Sequence, residues 1–151
     1  MRYFVMEGLG TVLLPPAPKG ENPEVVLASD LGRFGEVDYD LRHELISNRL
    51  KMVIEHYLPR FDFQPLVYLD IEKQEQAVFW RFRPIQYTDY QATFRNDGII
   101  SGISFPNNYA PVIFTARSPR GVRSIVVRIA VAESVLRRCI LGVKFTKLND
   151  N

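Results

Sequence analysis

The sequence predicts an α+β fold: a mainly antiparallel sheet with two short amphipathic helices, in a single domain over residues 1–151. Three observations predict it. Short runs rich in Val, Ile, Phe and Tyr recur along the chain, broken by proline, glycine and Asn-Asp clusters, which is strand-and-turn chemistry. Helical spacing of apolar residues is confined to two stretches. Those stretches belong to a helix–strand cassette that occurs twice, at about 44–68 and 130–148. Setting Leu50 on Leu136 puts Lys51 on Arg137 and Ile54 on Ile140. After a four-residue insertion in the first copy, Phe63 falls on Phe145 and Leu66 on Leu148. Many strands with few helices argue for α+β rather than a doubly wound sheet.

In chain order, Arg2–Glu7 alternates and reads as a strand, with Thr11–Leu14 as its extension or a second one. The Pro15–Pro23 stretch is a loop, because proline lacks the amide that a sheet ladder needs. Val25–Leu27 reads as a short strand and Asp38–Leu41 as an extended approach. Leu45, Ile46, Leu50, Val53, Ile54 and Tyr57 then recur at helical spacing. Ser47 offers the alternative start, since its hydroxyl can accept a first-turn amide; the helix then begins near Asn48. Pro59 stops it. Phe61–Leu69 is a strand, with Pro65 marking an edge or a bulge. Ile71–Gln76 is a polar turn. Ala77–Ile85 is a strand with Trp80, Phe82 and Pro84 on one face and the largely polar Phe79, Arg81 and Arg83 on the other. Residues 86–98 are irregular and end in the Asn96-Asp97-Gly98 turn. Ile99–Phe105 and Val112–Ala116 read as strands, and Ser124–Ile129 as a strand or the lead-in to the second cassette. Val131, Val135, Leu136 and Ile140 mark the second helix, Gly142 ends it, and Val143–Leu148 closes the chain as a strand.

Composition narrows the function. Hydrophobic residues make up 46% and charged residues 24%, ordinary for a globular domain. No apolar run reaches the roughly 18 residues that span a bilayer, and the start does not read as a signal peptide. The lone Cys139 can form no internal disulfide, so a cytoplasmic protein is expected. Residues 1–75 hold 8 Lys/Arg against 13 Asp/Glu, or −5; residues 76–151 hold 11 against 4, or +7. Such a bipolar layout serves either pairing within the domain or steering of a charged protein partner.

Candidate catalytic residues fail one by one. Cys139 lies beside Arg137 and Arg138, which would activate a thiol facing them, but it sits on a helix whose apolar side is needed for packing. His43 and His56 are thirteen residues apart and share no metal site. The carboxylate pairs Asp38/Asp40 and Asp70/Glu72 share a face in extended chain, the basis of a small carboxylate enzyme as runner-up. Gly8-Leu9-Gly10 lacks the third glycine of a dinucleotide loop. Ser118-Pro119-Arg120-Gly121 lacks the Lys and Ser/Thr of a P-loop. Phe79–Arg83 interleaves aromatic and basic residues as a nucleic-acid stacking platform does, yet the acidic first half opposes phosphates, so nucleic acid is disfavoured. No catalytic residue, metal or cofactor is expected.

The opening Met1-Arg2-Tyr3-Phe4-Val5 and the cassettes resemble the eleventh immunity-protein family (Imm-eleven) of bacterial polymorphic toxin systems, formerly a domain of unknown function. The residues that carry this are Ser47, Leu50, Lys51, Ile54 and Glu55, then Phe63-Gln64-Pro65, and the tail Ser134, Leu136 and Gly142-Val143-Lys144-Phe145. The resemblance implies a cytosolic antidote that binds a cognate protein toxin without catalysis; the sequence leaves its oligomeric state open, a homodimer included. Two surfaces are the expected contacts: the acidic stretch Glu36, Asp38, Asp40 and Glu44, and the strand carrying Trp80, Arg81 and Arg83.

Overall fold

The computed structural model describes residues 2–9, 14–15, 24–107, 109–138, 140 and 142–150. Cys139, most of the strand expected at 11–14 and most of the loop expected at 15–23 lie outside them. The fold is α+β with mostly antiparallel strands, but in three sheets where the sequence reading has one. The chain divides into two compact units, Met1–Glu7 with Arg83–Arg137 and Lys144–Asn151, and Gly8–Phe82 with Arg138–Val143.

The first unit holds a four-stranded sheet in the order β11-β1-β10-β9 and a three-stranded sheet in the order β12-β8-β7. The strands are β1 (Tyr3–Gly8), β7 (Gln91–Phe94), β8 (Ile100–Ser104), β9 (Ile113–Arg117), β10 (Arg123–Arg128), β11 (Val143–Lys147) and β12 (Asn149–Asp150). β7 lies in the stretch expected to be irregular. The β7–β8 hairpin closes at the expected turn, where Gly98 has φ +89 and its amide bonds the Arg95 carbonyl at 2.9 Å. β12 runs parallel to β8, and β10 antiparallel to both β1 and β9. Tyr3, Val5, Ile100, Phe114, Val126 and Leu148 are buried together, with Tyr87, Tyr90 and Phe105 packed on them.

Helix α2 (Ile129–Arg137) follows β10 directly and buries Val131, Ala132 and Val135. It ends before Ile140, and Leu136 is 59% exposed whereas its cassette counterpart Leu50 is fully buried. The two cassettes therefore pack differently despite their matching letters. Gly142 lies beyond the helix end rather than at its cap. It has φ +85, and an added Cβ would sit 3.3 Å from the Glu36 carbonyl oxygen, so glycine is required there for a close approach.

The second unit holds a five-stranded sheet in the order β2-β5-β6-β4-β3. Its strands are β2 (Glu24–Leu27), β3 (Tyr39–Asp40), β4 (Leu45–Ser47), β5 (Gln64–Asp70) and β6 (Glu75–Arg81), with a short 3-10 helix at Leu31–Glu36 and helix α1 at Asn48–Tyr57. β2 runs parallel to β5, and the remaining pairings are antiparallel. Ser47 settles where α1 begins. Its hydroxyl accepts the Leu50 amide at 3.1 Å, so Leu45 and Ile46 belong to a strand and not to the helix. β6 begins two residues before its expected start, and its burial reverses the expected faces. Ala77 and Phe79 point into the cluster of Leu31, Phe34, Leu45, Leu66 and Tyr68. Arg81 follows on that side and is tolerated because Glu24 pairs with it; both side chains are at most a tenth exposed.

Pro65 stands just before the part of β5 that pairs with β2 and does not break the ladder. The Leu69 carbonyl accepts from Ala28, so Leu69, Val67 and Pro65 direct their backbone groups toward β2. Among the described residues β2 pairs only from Leu66 onward, so there the missing proline amide loses no rung.

Candidate functional site

The acidic stretch is mostly interior. The Asp38 side chain is fully buried: Oδ1 accepts Ser47 Oγ at 2.7 Å and Arg49 at 2.9 Å, and Oδ2 accepts Arg49 at 3.1 Å. A carboxylate taken out of water needs this set of donors. Arg49 is the partner that the sequence reading missed, eleven residues away and across a strand boundary. Asp40 is 8% exposed and accepts from both the backbone amide and the ring Nδ1 of His43, the latter at 2.7 Å. Burial, then the Asp40 charge, pushes the Tyr68 phenol well above its ordinary range, and that hydroxyl donates to the Pro15 carbonyl. Glu44 is half-buried with φ +57, and its carbonyl accepts the Phe82 amide at 2.8 Å. Glu36 alone of the four is exposed.

The strand expected to present Trp80, Arg81 and Arg83 is divided. Arg81 is paired inside the second unit, and Arg83 is exposed and belongs to the first. Trp80 is half-buried; its indole N–H donates to Asn48 Oδ1 at 3.2 Å. Lys51 lies over that indole, 4.4 Å from the centroid, and pairs with Glu55 at 2.9 Å. The cation and the ring thus satisfy each other where α1 crosses the sheet.

The register shows a surface that the sequence reading did not single out. Facing residues of neighbouring strands share a side of the sheet. Val25 faces Val67, which faces Val78; Leu27 faces Leu69. Helix α1 meets this side at Trp80. Beyond it Val25 is 55% and Leu27 67% exposed, with Val67, Leu69 and Val78 half-buried. The signal in the sequence was Glu24-Val25-Val26-Leu27: with the acid paired inward, alternation sends Val25 and Leu27 outward.

Beside β6 lies an open cleft of about 290 Å³. The 3-10 helix and the residue after it supply Leu31, Phe34 and Val37, α1 supplies Asn48 and Arg49, and β6 supplies Ala77, Val78 and Phe79. Its floor is apolar and its rim polar. Among the described residues no group of three His, Cys, Asp or Glu is placed to hold a metal, and no helix is long and apolar enough to cross a membrane. No known protein family, curated protein or solved structure matches the chain.

Proposed function

We propose that this chain is a non-catalytic immunity protein of the bacterial cytoplasm, which neutralises a cognate protein toxin by docking it on the bare side of the five-stranded sheet. The observation that carries the reading is the apolar strip of Val25, Leu27, Val67, Leu69 and Val78, left uncovered beside α1. Contiguous apolar surface of this kind marks a macromolecular contact, with polar neighbours such as Gln76 as its rim. The inward commitment of Asp38, Asp40 and Arg81 supports the same reading: these charges hold the scaffold and leave shape and apolar area to do the binding.

The test pairs the chain with the product of the adjacent gene. Co-expression should rescue cells from that product, and the purified pair should form a complex. Leu27→Lys should weaken the complex more than tenfold, since burying a leucine contributes about 1.5–3 kcal/mol and 1.4 kcal/mol is a factor of ten. Its stability should move by less than about 0.5 kcal/mol, because the side chain is exposed. Rescue and binding that Leu27→Lys leaves intact remove this face from the function. A concentration-dependent dimer abolished by Leu27→Lys reassigns it to self-association.

A further inference from the structure

The acidic excess of the chain belongs to one unit and the basic excess to the other. The first unit holds 10 Lys/Arg against 5 Asp/Glu, and the second 9 against 12. The units also differ in what their cations touch. In the second, Arg49, Lys51 and Arg81 each meet a carboxylate. In the first, Arg117, Arg120 and Arg128 donate to the carbonyl oxygens of Gly121, Asn96 and Ala110, and among the described residues they pair with no carboxylate. A neutral acceptor fixes a guanidinium in place and leaves its charge for another partner. Arg128 is the furthest from satisfied. It is half-buried, and its Nε is shut off from solvent with no hydrogen-bond partner among the described residues. Such an orphaned donor is rare in a native fold.

Aromatic rings stand beside it. The residue before its Ala110 acceptor is Tyr109, which is 64% exposed. The Tyr109 carbonyl accepts the Tyr87 hydroxyl at 3.0 Å, and the Tyr87 ring lies 6.4 Å from the centroids of both Tyr109 and Tyr90. Tyr87 and Tyr90 are half-buried. The carboxylate beside Tyr87 is Asp89, which accepts from Asn107 at 2.8 Å. We propose that the first unit binds single-stranded nucleic acid here, with bases against Tyr109 and Tyr87 and a phosphate against Arg128. Every base has a face that stacks on a ring, and a guanidinium fork matches a phosphate. An acidic protein would use the charge and leave the rings idle, so the rings decide for nucleic acid. A duplex keeps its base faces inside the stack, so the ligand is a single strand. Stacking and charge tolerate any base, and sequence preference is small. The site is independent of the docking strip, since Val25 and Leu27 belong to the second unit.

Fluorescence anisotropy of a labelled oligothymidylate, about twelve nucleotides long, tests it on the whole chain. The Kd should lie at about 1–100 μM near physiological salt and rise steadily with added salt. Tyr109→Ala should weaken binding about tenfold, the worth of one stacked base, and leave the unfolding midpoint unchanged because the side chain is exposed. Tyr109→Phe keeps the ring and should bind as the parent does. Arg128→Gln should lower the slope of log K against log salt by roughly 0.7, the share of one phosphate. Leu27→Lys should change nothing in this assay. Absence of binding at about 100 μM protein in low salt overturns the proposal. So does a duplex of the same length bound as tightly as the single strand, or Tyr109→Ala binding as the parent does. Polyglutamate that displaces the oligonucleotide at equal charge reassigns the surface to acidic proteins and also overturns it.

Discussion

In the first unit the Phe114 ring meets those of Tyr3, Tyr87, Tyr90 and Phe105, at centroid distances from 5.5 to 6.4 Å. In the second unit the five-stranded sheet is filled on one side by Phe34, Tyr68 and Phe79, while its other side leaves Val25 and Leu27 in water. The same chain thus closes one core with aromatic rings and leaves apolar residues of another sheet face exposed. The contrast teaches that the exposure is local to one surface and not a general shortage of apolar material. An exposed Val and Leu on an edge strand is a hazard for aggregation.

The sharpest way to break the comparison is Phe114→Ala. Truncating a fully buried ring costs about 3–5 kcal/mol, and denaturant unfolding should show it. A loss below about 1 kcal/mol would mean the first unit is not the tightly closed one. Next comes Asp38→Ala, which strips Ser47 and Arg49 of their shared acceptor. Arg49 stays 55% exposed, so no bare cation is left buried, and the loss should be about 2 kcal/mol by the same measurement. Its signature is fraying of α1, visible as faster amide exchange at Leu50. Val25→Thr sharpens the contrast at the small end: about 0.5 kcal/mol or less in stability, with weaker partner binding by titration calorimetry.

The smallest effect is electrostatic and belongs to the first unit. Arg95, then the Ile99 amide, hold the Asp97 carboxyl down at about 2. In the unfolded chain it titrates at about 3.9. A group lowered on folding stabilises above its unfolded value, and the contribution disappears as pH falls from about 4 to about 2. Unfolding midpoints should drop across that window, and Asp97→Asn should flatten that part of the curve.

Local chemistry made much of the fold legible. Ser47 offered the alternative helix start that the structure takes, Pro59 marked its end, and Asn96-Asp97-Gly98 the turn, because each acts within a few residues. What stayed hidden depends on distance along the chain. Arg81 looked like a surface charge until β2 brought Glu24 beside it, 57 residues away in sequence. Asp38 and Asp40 looked like a display of acid until Arg49 and His43 enclosed them. Gly142 looked like a helix cap because the glycine signal is the same whether the demand is a turn or a close backbone approach. The bare strip was invisible for a related reason. Val25 and Leu27 read only as part of a short apolar strand, and the strand order and register are what put them on the exposed side of the sheet.

Ser47 both ends β4 and starts α1, so the reach of one strand is tied to the first turn of a helix. How far β4 runs along β6 is therefore a matter of chain length and not of side-chain identity. Chains with β4 longer by a turn-preserving pair of residues would carry the start of α1 further along β6, and chains with it shorter would draw it back. The stretch of β6 beside the helix can then change through small insertions before Ser47 while no side chain of the sheet changes.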